Sequence, residues 1–338
     1  MNSTAIAVTE SSQAGHTRRT AAALAASLGF NEEDQGKVAL VASEAAKNLV
    51  AHAREGQVVL RPLYSGEQVG VEVLALDKGP GMADVDRCMQ DGYTTTGTGG
   101  SGLGAMRRMS TLFDIHSVPG VGTALVAQLW SGKPPPPGPL DVGVVCVPMH
   151  GEEVCGDSWA VDLKEGRPFF LVADGLGHGP DAARASRAAV ASFLEQQAPR
   201  GLVELLRALH QELRSTRGAA VSLAELTGEG GQLLYAGVGN IAAAVLSPDG
   251  GIQRLVSMNG TLGHQASRMQ QFSYGWSPGS CLLMYSDGMG TQWRLDAYPG
   301  LLARHPSLVA GVLYRDYTRG RDDVTVLVAR EAARRGPT

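Results

Sequence analysis

The chain has 338 residues, 43% hydrophobic and 18% charged, enough apolar material for about two packed domains, which excludes a disordered polymer. With 29 basic and 33 acidic residues the net charge is −4, and neither half carries the basic footprint of a nucleic-acid binder. No run reaches the roughly 18 apolar residues of a membrane span. Cys88, Cys146, Cys155 and Cys281 form no C-x-x-C pair, so free thiols in a reducing, cytoplasmic setting are expected instead of a zinc ribbon or redox motif. The 44 glycines, nearly twice ordinary usage, call for turns, close backbone approaches or ligand-cradling loops.

In chain order, residues 17–29 read as a helix. The segment TAAALAASLGF after Arg18-Arg19 imitates a signal peptide, but Asn31-Glu32-Glu33-Asp34 stands where a small-residue cleavage site belongs. Asn31 reads as the N-cap of the next helix, its acidic first turn suiting the helix dipole, and that helix runs to about Ala53. Strands are expected at 57–63 and 69–76, a helix near 103–112, and strands at 114–118 and 123–130. Residues 131–139 hold five prolines in nine positions, an extended spacer between two domains. Beyond it, strands are expected near 141–147, 158–163 and 168–173, and helices at about 180–197 and 201–216. Further strands follow at 219–226, 232–237, 241–247, 252–257, 281–286 and 324–329. Both halves are therefore α+β with mainly antiparallel sheets.

Three features of the first half stand in a suggestive order. Glu44 and Asn48, four apart, share a helical face, where a carboxylate and an amide can hold a water and a hydrated magnesium ion. Asp77-Lys78-Gly79-Pro80-Gly81 follows a strand directly, placing a carboxylate where it can accept from an adenine amino group. Gly97-Thr98-Gly99-Gly100-Ser101-Gly102-Leu103-Gly104 opens a helix, and bare amides beside a helix N-terminus attract phosphate. Each piece is commonplace alone; the ordered set is not. A P-loop is absent, and the polar run Asp91–Thr96 replaces the strand that a dinucleotide fingerprint requires.

On these motifs residues 17–130 resemble the GHKL ATPase superfamily, specifically its small bacterial anti-sigma and RsbT-type serine kinases. Glu44 and Asn48 match the N box, Asp77, Gly79 and Gly81 the first glycine box, and Gly97–Gly104 the second, including Gly99, Gly100, Gly102 and Leu103. Gly122-Thr123 matches the late Gly-Thr pair near the adenine pocket. The resemblance implies a Bergerat α/β sandwich binding ATP and Mg. Asn48 would help hold Mg–ATP, Asp77 and Thr123 would line the adenine pocket, and Glu44 would be the base toward a substrate serine. No phosphoacceptor histidine precedes the domain, which argues against a two-component histidine kinase.

The second half carries four acidic motifs at strand ends or turns: Gly156-Asp157-Ser158, Asp174-Gly175-Leu176-Gly177-His178-Gly179, Asp287-Gly288-Met289-Gly290 and Arg321-Asp322-Asp323-Val324-Thr325. Convergent carboxylates repel unless cations neutralise them. Oxygen-only ligation selects Mg or Mn over zinc, and two such ions can activate a water for in-line attack on phosphorus. Residues 141–330 resemble the SpoIIE/RsbX-like branch of the PPM protein phosphatases, which implies an αββα sandwich holding two Mn or Mg ions. By motif position Asp157, Asp174, Asp287 and Asp322 would be ligands with the Gly175 carbonyl, and Asp323 competes with Asp322. Leu176 stands where many eukaryotic relatives have histidine, and His178 lies two residues further on, so a structural turn role stands beside general acid for it. Arg184 and Arg187 are candidates for phosphate, against the simpler reading of a solvated helix face.

The expected organisation is 1–130, an ATP-binding serine kinase domain; 131–139, a linker; 140–331, a metal-dependent phosphatase; and 332–338, a tail. Together the resemblances imply a bifunctional regulator of a bacterial partner-switching pathway. Its substrates would be STAS-type anti-sigma antagonists or stressosome proteins, with a sigma factor as a further partner and no nucleic acid or membrane. Two alternatives are an N-terminal domain that only senses ATP or binds a partner, and a scaffold with no activity; the complete acidic set weighs against the scaffold.

Overall fold

The computed structural model describes residues 3–53, 55–89, 102–196, 201–227, 231–266 and 268–332. Two compact units emerge: Ser3–Gly138 together with Leu295–Arg315, and Pro139–Arg294 together with the chain from Asp316 onward. Among the described residues no helix is long and apolar enough to cross a membrane, and all four cysteines are free thiols.

The first unit begins with an edge strand that alternation alone does not reveal, β1 (Thr4–Val8). Helix α1 (Ser11–Ser27) starts earlier than 17 because Gln13 Oε1 accepts from the Glu10 backbone N–H at 2.9 Å. Its buried stripe consists of the small residues Ala14, Thr17, Ala21 and Ala25. Gly29, at φ +80°, ends it, with Gly29 N–H bonded to Ala26 and Phe30 N–H to Ala25, the paired closure of a left-handed C-terminal cap. Helix α2 (Glu32–His52) is capped by Asn31 as expected, its side chain accepting from Asp34 N at 2.8 Å.

Strands β2 (Gly56–Ser65) and β3 (Gln68–Leu76) follow, then the short α3 (Val85–Cys88), α4 (Gly102–Met109), β4 (Leu112–Val118) and β5 (Gly122–Trp130). They form one antiparallel sheet of order β1-β2-β3-β5-β4. Because side chains alternate across a strand, Val58, Leu60, Val71, Val73 and Ala75 join the core beneath α1 and α2. The opposite face carries buried Val59, Leu74 and Leu76, and with them an ion pair, Arg61 Nη2 to Glu72 Oε1 at 2.9 Å. Burial penalises the Glu72 charge, but Arg61, His305, Gln128 and Ser307 more than offset this, and the carboxyl lies below its ordinary range. Removing one partner of a buried pair strands the other charge. Arg61→Met should therefore destabilise the fold by about 3 kcal/mol, read as a lower denaturant midpoint; an unchanged midpoint would show that Glu72 needs no cation.

The second unit comprises β6 (Leu140–Val147), β7 (Asp157–Lys164), β8 (Arg167–Gly175), α5 (Pro180–Glu195), α6 (Leu202–Glu212), β9 (Ala219–Thr227), β10 (Gln232–Val238), β11 (Ala242–Leu246), β12 (Ile252–Arg254), β13 (Phe272–Gly275), β14 (Cys281–Tyr285) and β15 (Val324–Glu331). Two five-stranded sheets result, β13-β10-β9-β8-β7 and β12-β11-β14-β15-β6. They share a core, with Phe170 and Val172 of β8 facing Met284 and Leu327 of the other sheet's strands. Phe169, Leu171 and Ala173 point the other way, onto α5 and α6. The run FFLVA is continuous because both of its faces are buried.

Helix α7 (Pro306–Tyr317), between β14 and β15, was not legible as an element. Nine successive residues, Pro306–Tyr314, are buried, so no polar stripe marks its period. The segment Leu295–Arg315 groups with the first unit. Gly311 lies against Leu74 and Leu76 so closely that a Cβ there would meet both at 2.9 Å.

Candidate functional site

In the first unit, α2 presents Glu44 and Asn48 one turn apart. Gly102, the first residue of α4, abuts them: a Cβ there would stand 3.3 Å from Glu44 Oε2 and 3.7 Å from Asn48 Oδ1. The two motifs thus meet at a helix N-terminus, where backbone amides favour an anion. Glu44 Oε1 also receives Lys47 Nζ at 2.8 Å. Gly97, Gly99 and Gly100 lie outside the described residues. Leu103 packs on the hydrophobic core and Gly104 is buried, so these two seat α4.

Asp77 leaves the end of β3 with its N–H bonded to Thr123 O at 2.9 Å. Its Oδ1 accepts from Gly79 N at 2.7 Å and Thr123 N at 3.2 Å. Oδ2 takes no hydrogen bond among the described residues. Burial pushes this carboxyl above its ordinary range, against the two backbone donors and the Arg315 charge. Gly81 adopts φ +69°, and a Cβ there would lie 2.2 Å from Val118 O, so no other residue fits that turn. Ser117, which sequence reasoning missed, shares a 2.9 Å hydrogen bond with Thr123 Oγ1 and accepts from Met82 N at 2.7 Å. This donor set fits an adenine nucleotide: one fixed carboxylate oxygen remains open beside the Gly-Thr strand, and a helix N-terminus faces the Glu44–Asn48 pair. An adenine amino group donates to a carboxylate, whereas guanine offers a carbonyl there. Asp77→Asn should weaken ATP binding by roughly 1.5–3 kcal/mol, measured by calorimetry; equal parental affinity for ATP and GTP would contradict the assignment.

In the second unit the four aspartate motifs meet at one end of the sandwich because their strands alternate in direction. Asp157 opens β7 opposite Asp174 at the end of β8, and Gly175 N donates to Gly156 O at 3.1 Å. Ser286-Asp287 follows β14, Asp322-Asp323 precedes β15, and Ser286 N donates to Thr325 O at 3.0 Å. Burial first, then Asp157, Asp287, Asp322 and Asp323, pushes Asp174 up to about 9. Asp157 is pushed up to about 7 by burial and by Asp323 and Asp322, despite its hydrogen bonds. Among the described residues no three His, Cys, Asp or Glu side chains stand close enough to hold a metal directly between them. The aspartates are neighbours at a looser, electrostatic range.

One atom tests whether cations fit. Asp157 Oδ2 accepts from Ser286 Oγ at 2.6 Å, while Oδ1 and the neighbouring Thr325 Oγ1 are both buried without a hydrogen bond of normal geometry. A buried carboxylate oxygen left unsatisfied is costly, and a cation in the acidic cluster would relieve both that cost and the mutual repulsion. Asp287 Oδ2 accepts from Asn240 Nδ2 at 2.8 Å, a support that sequence reasoning missed. Asp323 uses both oxygens on backbone donors, Oδ1 from Met149 N at 2.8 Å and Oδ2 from Gly156 N at 2.9 Å. Gly156 is required there, since a Cβ would stand 2.6 Å from Asp323 Oδ2. His178 is held by Glu152, Nδ1 to Oε1 at 2.6 Å. Arg184 pairs with Asp181 at 3.2 Å, and Arg217, not singled out in the sequence, pairs with the same carboxylate at 3.0 Å.

Comparison with known proteins follows the same division. Residues 7–129 match the histidine kinase-like ATPase domain, and residues 164–331 match stage II sporulation protein E. The chain is 35% identical over 107 residues to the serine/threonine-protein kinase RsbT of Bacillus subtilis (strain 168), covering 32% of this chain and 80% of RsbT. It is 27% identical over 140 residues to the phosphoserine phosphatase RsbX of the same organism, covering 41% of this chain and 70% of RsbX. A chain solved in work on "The bacterial stressosome: a modular system that has been adapted to control secondary messenger signaling" superposes with a TM-score of 0.51 at 36% identity, over 56% of this chain and 99% of that one.

Proposed function

This chain belongs to the histidine kinase-like ATPase family in its first half and to the SpoIIE family in its second, and on that premise we propose that it is a bifunctional protein serine kinase and phosphatase. It would add a phosphoryl group to a serine of a STAS-type partner-switching protein in the first unit and remove one in the second. What supports the phosphatase half most directly is Asp157 Oδ1, buried beside Asp174 without a hydrogen bond of normal geometry.

Asp157, Asp174, Asp287 and Asp322 would hold two Mn or Mg ions together with the Gly175 carbonyl. When bound, the pair supplies an activated water and neutralises charge on the phosphoryl oxygens. Asp323 would instead hold the turn before Asp157, because both its oxygens are already engaged. Ser286 and Asn240 would aim the carboxylates of Asp157 and Asp287. In the first unit Asn48 would hold Mg–ATP, Asp77 would read adenine, and Glu44 would take the proton from the substrate serine.

A second reading, in which the first unit senses ATP without transferring its phosphate, draws on the Lys47–Glu44 ion pair at 2.8 Å, which leaves the candidate base already engaged. The two readings are separated by incubating the full-length protein with a STAS-domain anti-sigma antagonist. The proposal expects an Asp174→Asn protein, whose phosphatase cannot erase the product, to add one phosphoryl mass to the partner with Mg–ATP, and the parent to remove that mass with Mn2+ once ATP is removed. A partner that is dephosphorylated but never phosphorylated supports the sensor, and the absence of both changes overturns the enzymatic reading.

A further inference from the structure

Arg315 stands at the C-terminal part of α7, in the segment that groups with the first unit although the chain reaches it only after Asp287. Its Nη1 donates to the backbone carbonyl of Asp77 at 2.6 Å and lies 3.4 Å from that of Thr123. Asp77 is thereby gripped at every polar atom but one: N–H by Thr123 O, Oδ1 by Gly79 and Thr123, and C=O by Arg315. Two of those grips come from Thr123 on β5 and one from Gly79 in Asp77's own turn. The fourth comes from a residue 238 positions away in the chain.

The approach is built, not incidental. Gly122 is tight against the same carbonyl, since a Cβ there would fall 2.0 Å from Asp77 O and 3.0 Å from Arg315 Nη1. The segment that carries Arg315 is pinned elsewhere on the first unit. Ser307 Oγ donates to Glu72 Oε2 at 2.7 Å, His305 N donates to Asp114 Oδ2 at 2.8 Å, and Arg304 pairs with Asp114 at 3.2 Å. A flexible side chain on a loose segment cannot set an angle; one on a helix held at several points can.

We propose that Arg315 is a positioning residue for the nucleotide site: it fixes the Asp77 backbone, so that the open Oδ2 is aimed at the adenine amino group. The inference rests on the reading of Asp77 as the adenine-reading carboxylate. The C-terminal half of the sequence then contributes to nucleotide selectivity, through a segment strung between Asp287 and Asp322. Nucleotide affinity in this chain is a property of the first half together with that segment.

The test uses the full-length protein and two variants, Arg315→Met and Arg315→Lys, with ATP and GTP affinities measured by calorimetry and folding followed by thermal melting. Methionine keeps the aliphatic stem and loses every donor; lysine keeps one charge on a flexible stem without the planar fork. Arg315→Met should bind ATP about tenfold more weakly, the scale of one lost charge-assisted hydrogen bond. GTP affinity should hardly change, so the ATP-over-GTP preference collapses. Arg315→Lys should recover part of that preference. A residue that merely latches the segment would lower the melting temperature and leave the preference intact, and that result overturns the proposal. Should Arg315→Met not fold, an Arg315→Lys protein with the parental preference overturns it equally. A parent that shows no preference for ATP instead removes the Asp77 reading on which the inference stands.

Discussion

Asp174→Asn in the full-length protein should lower Mn2+-dependent hydrolysis of a phosphoserine protein by about 10²–10⁴-fold, the equivalent of several kcal/mol of transition-state stabilisation. Burial and four neighbouring carboxylates all oppose the charge of Asp174 and push it up to about 9. That arrangement makes sense only if positive charge restores the ionised form, so chelation with EDTA should abolish activity in the parent as well. The variant should melt no lower than the parent in the absence of metal, since a neutral amide removes repulsion without removing volume. Robust turnover by Asp174→Asn under excess EDTA would end the metal-phosphatase reading. A loss of activity accompanied by a collapsed melting transition would show that the aspartate serves the fold.

Glu44→Gln should reduce phosphoryl transfer to a STAS partner by about 10²–10⁴-fold while ATP still binds, the usual worth of a positioned general base. Glutamine preserves size and hydrogen bonding and loses proton affinity. Asn48 and the N-terminus of α4 hold their places beside it, so nucleotide affinity measured by calorimetry should move by less than about twofold. The experiment needs an Asp174→Asn background, in which the chain's own phosphatase cannot erase the product. Transfer by Glu44→Gln at the parental rate would leave the kinase standing and remove Glu44 as its base. No transfer by the parent, with ATP nevertheless altering dephosphorylation, would favour the sensor.

The motifs were legible because each is short-range chemistry attached to a strand or helix end. Asp77 and Asp174 each follow an apolar strand, with a glycine next but one after Asp77 and directly after Asp174, and the reason is that the chain turns there and a Cβ would collide, as with Gly175, where it would come within 2.0 Å of Ala182 O. What separates Asp323 from Asp322 is not local: its oxygens meet Met149 N and Gly156 N from more than 160 positions away, and adjacent aspartates look alike in sequence. Ser117, Asn240 and Arg217 were missed for the same reason: a lone polar residue near a turn has no signature until its partner arrives from another element.

By itself the sequence determined the helix bounded by Asn31 and Ala53, the alternation of the central strands, and the order along the chain of the Glu44–Asn48, Asp77 and strand-terminal aspartate motifs. These follow from propensity, periodicity and capping, which act within a few residues. Tertiary structure alone decided where Leu295–Arg315 belongs. Its helix is apolar all round, so no pattern announces it, and what claims it for the first unit is burial of Leu74 and Leu76 under Gly311 and hydrogen bonds to Glu72, Asp114 and Asp77. Those contacts join residues roughly two hundred positions apart, and their free energy exists only once both surfaces have formed.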